Sequence, residues 1–145
     1  MNEVDNLKLE SQLCFPLYAA SKEIIRKYKP FLDKIDLTYT QYITMLVLWE
    51  ENIINVKKLG EKLFLDSGTL TPLLKKLEIK GYIERKRNEK DERNLIISIT
   101  EKGKKLKDKA KSIPIEIGKC INIGTDETIK IYEILYKILG SINNE

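Results

Sequence analysis

Cys14 sits in the apolar stretch "QLCFPLY" and is one of only two cysteines in a chain of 145 residues that contains no histidine. Without histidine the commonest general base and the commonest metal ligand are both missing. Serine–histidine catalysis is therefore excluded. A zinc site would have to combine both cysteines with carboxylates, so no metal is expected, and no motif calls for a cofactor. Sulfur can then be the one reactive atom of the chain. A thiol in apolar company can be plain packing, since free cysteine is among the most buried residue types. It can also be a nucleophile, provided its surroundings favour the thiolate. The same two readings apply to Cys120 in "GKCINIG".

The length suits one domain with a core of its own. The N-terminus "MNEVDNLKLE" is polar and acidic, unlike a signal peptide. No apolar run approaches the roughly 20 residues needed to span a bilayer. The expectation is a cytoplasmic protein whose thiols rest reduced. Net charge is +4, but residues 57–109 hold 16 Lys and Arg against 9 Asp and Glu, and the remainder holds 10 against 13. Such segregation suits a polyanionic partner; a lysine-rich solvated surface would look the same by composition.

The elements that must position these groups follow from periodicity. Residues 7–28 predict a helix, with Leu13, Leu17, Ala20, Ile24 and Tyr28 at three- and four-residue steps. Pro16 requires that helix to start near Cys14 or to bend there. "KYKPFLDKIDLTY" reads as a connection. A second helix follows, capped by Thr38 or Thr40, with Tyr42, Met45, Leu46 and Trp49 on its apolar face. Val56, Leu59 and Leu63 mark a short helix, "FLD" a tight break, and Leu70, Leu73, Leu74 and Leu77 an amphipathic helix. Asp66 and Ser67 are good caps for it, although Pro72 argues for a later start capped by Thr71. Gly81 closes it in the left-handed conformation. Strands are expected over Tyr82–Arg87 and Asn94–Thr100, joined by the polar tip "NEKDER". Thr100 caps a lysine-rich helix, and a last helix runs from about Asp126 to Ile142.

Short helix, tight break, amphipathic helix and basic hairpin are the parts of a winged helix-turn-helix. The fold class is mainly α with a small β-hairpin wing (α+β), with the DNA-binding part over residues 33–110. Double-stranded DNA is the partner this order predicts. Asp66, Ser67, Thr69 and Thr71 would present short polar groups to base edges and phosphates in a major groove. Lys75 and Lys76 would neutralise phosphates. Arg85, Lys86 and Arg87 would flank the backbone, and Arg93 at the wing tip would enter a minor groove.

The stretches "QLCFPLYAASKEIIRKYKP", "LTYTQYITMLVLWE", "LGEKLFLDSGTLTPLLKKLE" and "RKRNEKDERNLIISITEKG" resemble the MarR family of transcription regulators, in its branch of OhrR-type organic peroxide sensors. The resemblance implies a homodimer that reads a pseudo-palindromic operator, with 1–32 and 111–145 as dimerisation helices. It implies that Cys14 is the peroxide-reactive residue, and that Tyr28 and Tyr39 of the partner subunit hydrogen-bond to its sulfur, with Tyr18 close by. Phenolic donors favour a thiolate, and oxidation would give a sulfenic acid that a second thiol converts to a disulfide. Cys120 matches the resolving cysteine of two-cysteine members; one-cysteine members use a low-molecular-weight thiol instead. The effector implied is an organic hydroperoxide, and the chain would be a regulator, not an enzyme. Two other functions fit parts of the pattern. One is a repressor released by a small phenolic or other aromatic ligand. The other is a thiol peroxidase using Cys14 and Cys120, which leaves the basic wing without a purpose.

Overall fold

A computed structural model describes residues 6–143 of the chain, apart from the side chains of residues 91–93. Seven helices and a three-stranded antiparallel sheet make up the described part. Among the described residues no helix is long and apolar enough to cross a membrane.

Helix α1 (Cys14–Asp33) begins at the cysteine rather than near residue 7; a short 3-10 turn over Leu9–Ser11 precedes it. Pro16 then falls in the first turn, where a backbone N–H has no intrahelical partner to lose. At its other end α1 runs through Pro30, where a connection was expected. The hydrogen bond lost at Pro30 lies on an exposed face, and continuing the helix carries Leu32 into the core at 2% exposure. The chain then turns at Asp36, whose φ of 53° is left-handed.

Helix α2 (Tyr39–Glu51) is capped by Thr38 in a reciprocal box. The Gln41 amide N–H donates to Thr38 Oγ1, and the Thr38 N–H donates to Gln41 Oε1. Its buried face is Gln41, Tyr42, Thr44, Met45 and Leu48. Leu46, expected on that face, is exposed, because the helical repeat turns it away once Tyr42 and Met45 point inward. Strand β1 (Ile53–Asn55) is too short to show in the sequence pattern. It pairs with β3 and buries Ile54.

Helix α3 (Val56–Leu63) is capped by Asn55, which accepts from the Lys58 amide at 2.7 Å. Phe64 closes it at φ 54°. A Cβ on Gly60 would lie 2.8 Å from the Leu65 carbonyl oxygen, so this break needs glycine. Helix α4 (Ser67–Ile79) starts at its Asp66 cap, which accepts from the Thr69 amide at 2.7 Å. The later start suggested by Pro72 does not occur. Pro72 sits inside the helix on an exposed face, and Thr71 donates its hydroxyl to the Ser67 carbonyl instead of capping. Leu70, Leu73, Leu74 and Leu77 are all buried.

Gly81 turns the chain at φ 83° into β2 (Ile83–Asn88), which pairs with β3 (Asp91–Ile99) in the order β1-β3-β2. The strands reach closer to the tip than expected, leaving Glu89 and Lys90 to turn the hairpin. Helix α5 (Glu101–Ala110) is capped by Thr100. Helix α6 (Ile113–Cys120) packs against α1 through Ile113 and Ile117, and α7 (Thr125–Asn143) buries none of its residues.

Trp49 crosses from α2 to α5, donating its indole N–H to the Gly103 carbonyl at 2.8 Å. A Cβ on Gly103 would run into the Tyr82 carbonyl and lie 2.8 Å from Ile99 Cγ1. Gly103→Ala should therefore lower stability by about 1–3 kcal/mol, the usual scale of overpacking. Urea unfolding followed by Trp49 fluorescence measures it, and a change under 0.5 kcal/mol, by rough count, would mean the α5 contact gives way freely.

Candidate nucleic-acid interface and thiol site

Because its leucines face inward, α4 turns a polar stripe outward. Ser67, Thr71 and Lys75 succeed one another at four-residue steps and are all exposed, as are Asp66, Thr69 and Lys76. The backbone amide of Thr69 holds the Asp66 carboxyl below the usual carboxylate range. Asp66 is thus charged and engaged in capping. Thr71 is also engaged, through Ser67. The Thr69 hydroxyl also donates to the Asp66 carboxylate, which leaves Ser67, Lys75 and Lys76 as the groups that local structure uses least.

A cleft of about 560 Å³ separates α4 from the hairpin and is lined by Thr71, Lys75, Glu78, Arg85, Arg87 and Leu95. Four of the six are residues singled out from the sequence. Glu78 was not, and it organises the cleft. Its carboxylate accepts from the Arg85 amide at 3.1 Å and from Arg85 Nη2 at 3.0 Å, joining α4 to the first strand of the wing. The hydrogen bond from Arg85 holds the Glu78 carboxyl below its ordinary range. Arg85 is 21% exposed and neutralised by Glu78, whereas Arg87 is exposed and lines the cleft. Lys86, between them, points to the opposite face by the two-residue period of the strand. The only sequence signal for Glu78 is an acidic residue seven positions before Arg85, across the Gly81 turn. Arg93 lies outside the described side chains.

Both thiols are exposed, Cys14 as the first residue of α1 and Cys120 as the last of α6. Tyr18 stands one turn beyond Cys14 and is exposed, with Lys22 Nζ 5.5 Å from its ring centre. Tyr28 lies almost four turns along α1, roughly 20 Å from Cys14 at 1.5 Å per residue. Its ring meets Tyr39 edge-on at 5.0 Å and Tyr42 at 5.8 Å. Within one chain, then, Tyr28 and Tyr39 come together but Cys14 is not with them. Burial, then the neighbouring Tyr39 and Tyr42, push the Tyr28 phenol up to about 12. Burial also raises Tyr39. Both phenols stay protonated and keep an O–H to donate.

The apolar side chains that flank Cys14 in the sequence are exposed among the described residues. Leu13 is 72% exposed, and Phe15, Leu17 and Ile25 follow it; α7 exposes Ile129, Ile131, Tyr132, Ile134, Leu135 and Tyr136.

Comparison with known proteins places this arrangement. The family described as transcriptional regulator SarA/Rot matches residues 26–110. The organic hydroperoxide resistance transcriptional regulator of Bacillus subtilis is 48% identical over 144 residues, covering 99% of this chain and 98% of that protein. The chain belongs to the MarR family, in the branch that includes this organic hydroperoxide resistance regulator. The HTH-type transcriptional regulator SarZ of Staphylococcus aureus is another relative in this family, 52% identical over 128 residues, 88% of this chain and 86% of SarZ. Among solved structures, reduced AbfR bound to DNA is 35% identical, covers 97% of this chain and 99% of its own, and superposes with a TM-score of 0.78. AbfR bound to DNA in its overoxidised form gives the same score. The disulfide form of AbfR, 34% identical over 99% of this chain and 97% of its own, gives 0.63.

The raised Tyr28 phenol has a consequence for stability. Its folded value of about 12 lies above the ordinary 10.0, so the folded state holds the proton more tightly. The associated stability is complete below pH 10 and is lost as pH rises from about 10 to about 12. Urea midpoints across that range should fall less steeply for Tyr28→Phe than for the unaltered protein. Parallel curves would mean that Tyr28 ionises as freely as an exposed tyrosine.

Proposed function

We propose that this DNA-binding transcriptional regulator is a homodimeric repressor that senses organic hydroperoxides through Cys14 and leaves its operator when Cys14 enters a disulfide. The observation that carries this reading is an exposed thiol at the first residue of α1, flanked by apolar side chains that no described residue covers. An apolar area of this kind marks a binding surface. A second copy laid against α1 and α7 would cover it, and would bring a partner's Tyr28 and Tyr39 to a sulfur that the same chain's tyrosines cannot reach.

The chemistry balances with the groups present. The Cys14 thiolate attacks the terminal oxygen of the hydroperoxide, an S–O bond forms, the O–O bond breaks, and the organic part leaves as an alcohol after taking a proton. The thiol of Cys120 then attacks the sulfenic sulfur; an S–S bond forms and water leaves. Phe15 and the neighbouring leucines suit the organic tail. The disulfide, not overoxidised sulfur, is the releasing state in this reading. AbfR is bound to DNA both reduced and overoxidised, and its disulfide form departs further from the conformation described here. Ser67, Thr69, Thr71, Lys75, Lys76 and Arg87 face the DNA, with Asp66 and Arg85 holding α4 and the wing in place for them. Both half-sites must be engaged at once, so a modest change in their spacing removes the avidity.

Binding to the DNA upstream of the protein's own coding region tests the reading, with reduced protein, protein treated with cumene hydroperoxide, and dithiothreitol added back. Oxidation should release the DNA and reductant restore it. Cys14→Ser should stay bound, and Cys120→Ser should form no cross-link on a non-reducing gel. Release of the Cys14→Ser protein by hydroperoxide would end the proposal, and release of the same variant by a phenolic compound would favour a ligand-controlled repressor. At the wing, Arg93→Ala should weaken binding by about 1–3 kcal/mol if it reads a groove; an unchanged affinity and salt slope would leave the tip merely solvated.

A further inference from the structure

Lys80 directly follows the last residue of α4 and is the C-terminal cap of that helix. Unlike Lys75 and Lys76 it is largely covered, its side chain 27% exposed. It reaches back to the turn that joins α1 to α2. Its ammonium donates to the Asp36 backbone carbonyl and to Gln41 Oε1, the latter at 3.3 Å, and stands 3.5 Å from the Asp36 carboxylate. An ammonium has three N–H groups, and here it meets three acceptors, all from the corner between α1 and α2.

Those acceptors are themselves held. Asp36 is the left-handed residue of a tight turn whose following amide, that of Leu37, donates back to the Leu32 carbonyl at 3.1 Å. Its carbonyl therefore moves with the last turn of α1. Gln41 is buried, and its Oε1 also accepts the Thr38 amide in the capping box of α2. The Asp36 carboxylate is 88% exposed and contributes little; the carbonyl and the buried amide are the directional partners. On its other side the Lys80 carbonyl accepts from Lys102 Nζ at 2.7 Å, and the next carbonyl, that of Gly81, accepts from Thr100 Oγ1 at 2.6 Å. The end of α4 is thus pinned between the α1–α2 corner and the start of α5.

We propose that Lys80 is a positioning residue that makes α1 and α4 move as one, carrying displacement of the thiol-bearing helix into the DNA-reading helix. This rests on the reading of Cys14 as the sensor. Helix α1 has Cys14 at one end and leads at the other into the Asp36 turn. A tilt imposed at the cysteine displaces the Asp36 carbonyl, and Lys80 must follow it or break three polar contacts at once. Apolar packing alone would let α4 slide against the corner; directional bonds to held acceptors do not. Coupling between distant sites is carried by contiguous contacts of this sort.

The test compares operator affinity of reduced and cumene hydroperoxide-oxidised protein for the unaltered chain, Lys80→Met and Lys80→Arg. Lys80→Met keeps the length and loses the donors. Its reduced form should bind within about threefold of the unaltered protein, while the ratio of reduced to oxidised affinity should shrink by roughly tenfold. Lys80→Arg, which keeps a charged donor, should retain the ratio. Lys80→Ala provides a second loss variant and should reproduce the Met result. An unchanged ratio in both loss variants, or reduced and oxidised affinities that fall together, would overturn the inference, since a merely structural contact affects both states alike. If the unaltered protein itself does not release DNA on oxidation, the sensor reading fails and takes this inference with it; release by the unaltered protein with no effect of Lys80 removes this inference alone.

Discussion

The burial of four leucines along one side of α4 is the constraint from which the rest of the winged helix-turn-helix follows. Leu70, Leu73, Leu74 and Leu77 are each at most 6% exposed. At roughly 1.5–3 kcal/mol apiece, an upper estimate, their burial is comparable to the net stability of a small domain. The helix cannot rotate about its axis without surrendering it. Its remaining residues are consequently presented outward in a fixed order, with Ser67, Thr71 and Lys75 along one stripe. The Asp66 cap sets where that order begins, and the missing Cβ of Gly60 lets α3 approach closely enough for the break to close.

The wing is positioned by a polar contact as well as by the packing of Ile83 and Ile97, both fully buried. Glu78 grips both the backbone and the guanidinium of Arg85, which sets the angle between α4 and the hairpin and leaves Lys75 and Arg87 facing the same cleft. The arrangement separates two jobs among basic residues that look alike in the sequence. Arg85 is spent on architecture, and Arg87 is exposed. A positive surplus across residues 57–109 does not by itself tell these apart.

The thiol half has the opposite character. Helix α1 buries only Leu32 fully, with Tyr28 and Phe31 packed partly against the core and α6 alongside it, and α7 buries none of its described residues. Cys14 lies at the free end, far from the tyrosine cluster packed near the other. A chain built this way packs α4 and its neighbours firmly and leaves an apolar face of α1 and α7 uncovered by the described residues, which suits the reading in which a second copy covers that face and α1 hands its displacement on to α4.

Much of this was legible in the residues themselves. Local rules decided the caps at Thr38, Asp66 and Thr100, the left-handed Gly81, the leucine stripe and the β-hairpin, because each depends on contacts within a few positions and on the repeat of a helix or strand. Pro16 and Pro30 were harder. Proline states what a backbone cannot do, and whether a helix passes through it depends on what lies beyond, here Leu32 and the core it enters. The short strand β1 has no local pattern and exists because β3 supplies its partner. Glu78 and Lys80 read as ordinary surface charges until the fold brings Arg85, Asp36 and Gln41 to them. The sequence determined which residues could act, since side-chain chemistry and periodicity are properties of the chain. Only the tertiary structure decided which charges are neutralised, which are free and which helix ends are tied together, because those depend on distances between residues up to 54 positions apart.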